Sequence, residues 1–477
     1  MRADYFRRYA GRFTDGFKRL WDRGAVFTDA RYTYASTKTA EGHALMLSGW
    51  SPSGSGIVAD RWYDRRIGSI VMAAASPEHA LIGSAGEGGS PEQLMVHTVG
   101  DALKEVLPRS MVLTASWKRY SAVLNGGHHA DAAYWMDETT GRMATSDYYA
   151  RSYPAWTIPF TRDDLTAPFF GSTWLTHKFG TGRAPNDAYR ERFRYSLHPN
   201  PILLAFSKAL LEQSGVGADA DPDLVALSFS GVDYAGHEYG PETPEFDEVI
   251  TTLDVELGEL LRTLDARFGA SYTVALTSDH GAPFLPEKER ARGIDAGRLN
   301  SQAFRAAIDK AVAAKLGITG PVVAAYEAPE LYLNYQMAAA QGVSRQALDR
   351  AVVEAAQAQP GIARAYTVDD ITMAAGSHDP LLEAVADGFY APRSGDIHVL
   401  VKPNYFFWNG GGITHGTPYE YDAHVPMIFL GAGVKPGRYE NRVRINELAP
   451  TIGKLLGIPF KGDPKGRVLT EALIPNP

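Results

Sequence analysis

Cysteine is absent from this 477-residue chain, which excludes disulfides, thiolate metal sites and a cysteine nucleophile. Basic residues do not dominate: 47 Lys and Arg stand against 55 Asp and Glu, a net charge of −8. The chain therefore has no footprint for nucleic acid and no polybasic patch for a membrane surface. No apolar run is long enough to span a bilayer. The start, Met1-Arg2-Ala3-Asp4-Tyr5-Phe6, has no apolar h-region, so it is not a signal peptide and, taken literally, describes a cytoplasmic chain. Internal repeats and low-complexity tracts are also missing. What remains has the composition of an ordinary globular protein, long enough for one large domain with insertions or for two to three domains.

The chain centres on Thr37-Lys38-Thr39-Ala40-Glu41-Gly42-His43-Ala44. It follows a strand-like run from Val26 to Tyr34 and opens a helix-like run at Ala44-Leu45-Met46-Leu47. A hydroxyl at such a junction sits where free backbone N–H groups favour an anion. Thr39 is therefore expected to be exposed and electrophilically supported. The plainer reading is that Thr37 or Thr39 caps the helix.

A βαβ unit is expected in the middle of the chain. Leu224 to Phe229 reads as a parallel strand buried on both faces. Thr243-Pro244-Glu245 starts a helix that runs to about Phe268 and stops at Gly269. Tyr272 to Thr277 is the second strand, joined by a right-handed crossover. Val112 to Trp117 is a further strand, running into Lys118-Arg119-Tyr120. Residues 281–395 read as an insertion, and Pro426 to Leu430 as the last core strand.

Asp233 and His237 follow the first strand of the unit, and Asp279 and His280 follow the second. Ligands in open α/β sheets bind beyond the carboxyl ends of strands. His415, in the glycine-rich Gly411-Gly412-Ile413-Thr414-His415-Gly416, is a third imidazole candidate. Each pair alone is compatible with a turn or a loop cap. Together, with no cysteine available, Asp and His with open positions suit catalytic zinc. A threonine hydroxyl needs activation of that kind to act as a nucleophile.

Together these residues resemble the alkaline phosphatase superfamily. More narrowly they resemble bacterial alkaline phosphatases with a threonine nucleophile, relatives of the type I nucleotide pyrophosphatase/phosphodiesterases. The resemblance rests on Thr39-Ala40-Glu41-Gly42-His43, Gly56-Ile57-Val58 with Trp62-Tyr63-Asp64, Ala130 to Trp135, Phe193-Arg194-Tyr195-Ser196, Asp233 to His237, Ser278-Asp279-His280-Gly281 and Thr414 to Tyr419. It implies an α/β fold: a sandwich with a mostly parallel central sheet, helices on both faces and cap insertions. Residues 1–477 would form a single catalytic domain, with 281–395 inserted in it and 66–200 a substrate-side insertion carrying Lys118. It also implies two Zn²⁺ ions, one held by Asp233, His237 and His415, the other by Asp279, His280 and Thr39. The implied activity is phosphate monoester hydrolysis through a phosphothreonine at Thr39, with Lys118 assisting and a small phosphate ester as substrate.

Three positions depart from that pattern. Asp60 stands where the family has Asn, so an acceptor replaces a donor near the phosphoryl group. Tyr120 stands where monoester-preferring members carry Arg, while Lys118 is kept. An Asp ligand at the end of a first core strand is missing. These departures keep two other readings open: a phosphodiesterase or nucleotide pyrophosphatase, since a diester carries less charge, and a relative with a degraded, weakly active site. Phosphonate or sulfate ester hydrolysis is weaker still. The missing strand leads to the expectation of an upstream start bearing a signal peptide, an apolar strand and an Asp, with a periplasmic or secreted location; a true start at Met1 would mean a cytoplasmic protein.

Overall fold

The computed structural model describes residues 1–475. Nine strands position the site: β1 (Ala25–Arg31), β2 (Val112–Ser116), β3 (Ala132–Asp137), β4 (Arg142–Ala144), β5 (Leu224–Ser228), β6 (Thr273–Thr277), β7 (His424–Gly431), β8 (Gly437–Tyr439) and β9 (Val443–Arg444). The helices that matter most are α1 (Gly16–Arg23), α2 (Thr39–Ser48), α3 (Val99–Val106), α4 (Arg119–Gly126), α5 (Gly231–Tyr239) and α6 (Pro244–Phe268).

The α/β sandwich is present, and its central sheet comes in two pieces. One runs β5-β2-β3-β4, parallel from β5 through β3 with β4 antiparallel at the end. The other runs β6-β7-β1-β8, with β9 also on β1. Here β7 is antiparallel to both β6 and β1, while β8 and β9 lie parallel to β1. The first piece is thus parallel but for its terminal strand β4, and the second is mixed.

The expected βαβ unit needs correction. Strands β5 and β6 flank α6 in sequence, yet they belong to different sheets, and each bounds an edge. As a consequence β5 is half-buried along its whole length rather than enclosed on both faces. Val225 and Leu227 of β5, and Val274 and Leu276 of β6, pack as half-buried residues against the same apolar cluster as Val249, Ile250 and Leu253 of α6.

Helix α6 begins as its sequence dictates. Thr243 accepts the Phe246 N–H, Pro244 occupies the first turn, and Gly269 at φ +58° ends it. Its buried Asp254 carboxylate accepts the N–H groups of Thr14, Asp15 and Phe17 at 2.6, 2.9 and 2.7 Å. This satisfies the free donors at the start of α1 and locks the aromatic N-terminal segment of Tyr5, Phe6, Tyr9, Phe13 and Phe17 into the core.

Residues 281–395 contribute most of a separate antiparallel sheet, in the order Val323–Glu327, Glu330–Leu333, Ile397–Val401, Ile362–Thr367. Its last strand in chain order, Ile397–Val401, lies just past the expected boundary. The helices Ser301–Leu316 and Arg345–Gln357 cover it with a core of their own.

Glu256 of α6 is buried with neither carboxylate oxygen hydrogen-bonded. Burial pushes it from the ordinary 4.5 up to about 8, offset only in part by nearby Asn200 and reinforced by Glu259. The folded chain therefore holds this proton across the interval from 4.5 to about 8 in which the unfolded chain releases it, so its contribution to stability falls as pH rises through that window. We expect Glu256→Gln to change the denaturant midpoint little at pH 4 and to stabilise by about 1–3 kcal/mol at pH 9, as chemical unfolding at the two pH values would show.

Candidate active site

The site lies at the carboxyl ends of β2, β5 and β6 and is closed by α2. Lys38 takes the extended N-cap position, and Thr39 is the first residue of α2. Every residue of this helix is buried. Thr39 is only 2% exposed, which corrects the expectation of an open hydroxyl: Lys118 and His280 close over it. Its Oγ1 lies 3.4 Å from Lys118 Nζ and 3.4 Å from His280 Nε2. The simple cap reading does not hold, because the Lys38 position makes no side-chain cap and Thr37 donates to the Thr417 carbonyl instead.

Asp60 takes over the capping role. Its Oδ1 accepts the Ala40 N–H at 2.8 Å, so one free donor at the start of α2 is already satisfied by a carboxylate. Glycine at 42 is needed for close approach: a Cβ there would lie 2.4 Å from the Asp279 carbonyl oxygen and 2.8 Å from its Cα. Helix α2 thus rests on the backbone that carries Asp279 and His280.

One turn of α5 places Asp233 and His237 on the same face, and the loop around Ile413 brings in His415. Asp233 Oδ1 lies 3.4 Å from His237 Nε2, 3.7 Å from His415 Nε2 and 3.8 Å from His280 Nε2. Candidate ligand atoms of Asp233, His237 and His415 all fall within 4.8 Å of one another. Here too a glycine permits the approach, since a Cβ on Gly412 would lie 2.1 Å from the His237 carbonyl oxygen.

Both imidazoles of this set are oriented for ligation. His237 Nδ1 pairs with the Ile413 carbonyl at 2.8 Å, and His415 Nδ1 with the Thr37 carbonyl at 2.9 Å. A carbonyl only accepts, so each Nδ1 carries the proton and each Nε2 presents a lone pair. Burial keeps both rings neutral by lowering their pKa, and His280 beside His415 adds to the effect. Burial opposes the charge on Asp233, but the Lys118 ammonium outweighs it and holds the carboxyl well below the usual range. These donors fit a divalent ion of zinc type.

The second set consists of Asp279, His280 and Thr39. Asp279 Oδ2 lies 3.2 Å from His280 Nε2, and the His280 Nδ1 pairs with the Gly281 carbonyl at 2.8 Å. Burial opposes the Asp279 charge, but His280 and then His43 hold its carboxyl well below the usual range. The Met1 ammonium donates to Ser278 Oγ and the His280 carbonyl, both at 2.5 Å. Neutral and ionised oxygens plus one imidazole also fit a borderline divalent ion. The His280 and His415 rings stack with centroids 3.3 Å apart, joining the two sets.

Lys118 follows β2 and donates to Asp233 Oδ2 at 2.5 Å. Burial disfavours its charge, but Asp233 leads several neighbours that raise its pKa, so the ammonium is retained. Arg119 turns away and donates to the Glu87 and Gly88 carbonyls at 3.1 and 3.2 Å. Tyr120, the second residue of α4, is half-buried, its hydroxyl held protonated by burial and by Asp60.

Three neighbours escaped the sequence reading. His43 Nε2 lies 3.5 Å from Asp279 Oδ2, with Asn125 3.0 Å from its other nitrogen; the spacing of four from Thr39 on one helix face was the available signal. Asp422 had no signal at all. Its buried Oδ2 accepts from Gly416 N–H, Thr417 N–H and the Thr417 hydroxyl at 3.1, 2.9 and 2.6 Å, which fixes the loop carrying His415.

A family model described as type I phosphodiesterase / nucleotide pyrophosphatase matches residues 1–424. The chain belongs to this family. It is 29% identical to a protein of Myroides odoratus named calcium-transporting ATPase, over 99% of this chain and 93% of that one. It is 26% identical to alkaline phosphatase PafA of Elizabethkingia meningoseptica, over 99% of this chain and 92% of the relative. The crystal structure of wild-type PafA superposes with a TM-score of 0.91 at 26% identity, covering 99% of this chain and 97% of that one. The likeness in fold extends over 99% of the chain.

Asp422→Ala should loosen the His415 loop without touching a donor atom. We expect affinity for added Zn²⁺ to fall about 10- to 100-fold, measured by competition with a chelating dye.

Proposed function

We propose that this chain is a zinc-dependent phosphoric ester hydrolase that cleaves small phosphate monoesters through a phosphothreonine at Thr39. The observation that carries this reading is the position of Thr39 Oγ1, 3.4 Å from both Lys118 Nζ and His280 Nε2 at the first residue of a buried helix. The alkaline phosphatase relatives support the same class.

Asp233, His237 and His415 would hold one Zn²⁺, and Asp279, His280 and Thr39 a second. Such ions supply Lewis acidity, lowering the pKa of hydroxyl groups and screening phosphoryl charge. The protein's own groups do the rest. Thr39 Oγ1 attacks phosphorus, loses its proton and displaces the ester oxygen, which leaves as the alcohol after taking up a proton. Water then adds to the phosphothreonine, releasing inorganic phosphate and restoring the hydroxyl. Lys118 offers a fixed positive charge beside the attacking oxygen, where negative charge gathers on the phosphoryl group. The closed pocket keeps that interaction strong.

A second reading, phosphodiester or nucleotide pyrophosphate hydrolysis, is favoured by Asp60 and Tyr120. Both remove positive character from the phosphoryl site relative to an Asn and an Arg, which a less charged diester tolerates better.

Thr39→Ala is expected to lower turnover about 10³-fold or more while the chain stays folded; wild-type rates in a nitrophenyl phosphate assay would remove Thr39 from the nucleophile role. Lys118→Ala should reduce monoester kcat/KM about 10²- to 10³-fold and the matching diester by no more than about tenfold. Equal losses on the two substrates would favour the second reading.

A further inference from the structure

A second group of histidines lies at the opposite end of the β2-β3 pair. His97 precedes the Thr98 cap of α3, Glu105 sits in the last turn of that helix, and His129 follows α4. Candidate ligand atoms of His97, Glu105 and His129 fall within 4.8 Å of one another. His97 Nδ1 is already 2.9 Å from Glu105 Oε1. His129 precedes β3, whose start pairs with the start of β2, whereas Lys118 follows the end of β2. The five residues of β2 separate the two places by about 16 Å of strand.

The backbone that carries these side chains is fixed. Thr98 and Asp101 form a capping box at the start of α3. Asp101 Oδ1 also accepts the His129 N–H at 2.7 Å. Gly127, at φ +70°, lets the loop run against this cap, since a Cβ there would meet Thr98 Oγ1 and Asp101 Oδ2 at 2.4 Å. His128 is spoken for: its Nε2 pairs with the Leu94 carbonyl at 3.0 Å, and its Nδ1 lies 3.5 Å from Asp101 Oδ2. Its ring packs 5.7 Å from that of His97, which in turn lies 5.8 Å from the ring of His129.

We propose that His97, Glu105 and His129 form a surface site for a borderline divalent cation of the zinc type, separate from the catalytic centre. Two imidazoles and one carboxylate are a donor set that zinc takes, whereas magnesium and calcium prefer oxygen alone. Zinc–ligand distances of about 2.0–2.2 Å place tetrahedral donors about 3.4 Å apart. All three side chains are exposed, so rotamer changes close the remaining gap and water completes the coordination. The ion would tie the start of α3, its last turn and the α4–β3 loop into one unit.

The test is zinc binding by the full chain, counted as equivalents per chain by elemental analysis after dialysis against Zn²⁺. The His97→Ala/His129→Ala double variant should bind one equivalent fewer than the parent while ester turnover is unchanged. Glu105→Gln, which keeps the side chain's shape, should weaken the same equivalent at least tenfold in chelator competition. Unchanged zinc content in the double variant, or unchanged affinity in Glu105→Gln, overturns the proposal.

Discussion

Two ionised, half-buried carboxylates are the constraint on which the rest of the site depends. Isolated buried carboxylates take up protons rather than remain charged. Asp233 and Asp279 stay ionised because charged and imidazole groups converge on them: Lys118 on the first, His280 and then His43 on the second. Glu256, buried without such company, shows the alternative by keeping its proton to about pH 8. The difference lies in which strand ends deliver partners. β2 supplies Lys118, β5 leads into the helix bearing Asp233 and His237, and β6 leads directly into Asp279 and His280.

The fold keeps this convergence rigid through backbone contacts. Gly42 seats helix α2 on the Asp279 backbone, and Gly412 seats the His415 loop on His237. Asp422 then pins that loop from behind. At the far side of α6, Asp254 fastens the aromatic N-terminal segment to the core. Positions of donor atoms are thus set by main-chain packing, with side-chain freedom largely removed.

Much of this was legible in the residues. Thr243-Pro244 and Gly269 bracket α6 because capping is a local property. Asp233, His237, Asp279, His280 and His415 were legible because they follow strand ends or sit in a glycine-rich loop. Strand partnership was not. The apolar run at β5 looks the same whether it is flanked on one side or two, so its half-exposed edge and the separation of β5 from β6 could not be read. The antiparallel course of β7 is likewise invisible, since an apolar run carries no direction. The resemblance places Asp60 near a phosphoryl group, but its bond to Ala40 N–H depends on a tertiary approach that no local pattern reports. His43 had a helical spacing to Thr39 that points to it, whereas Asp422 acts through a loop whose conformation only the fold defines.

That bond between Asp60 and the start of α2 bears on how a reaction cycle ends. A helix start with free N–H groups is a seat for inorganic phosphate. Here one of those donors is already taken by a fixed carboxylate, which also repels a dianion. In an enzyme of the proposed kind, the product would meet a seat partly filled by the protein's own anion.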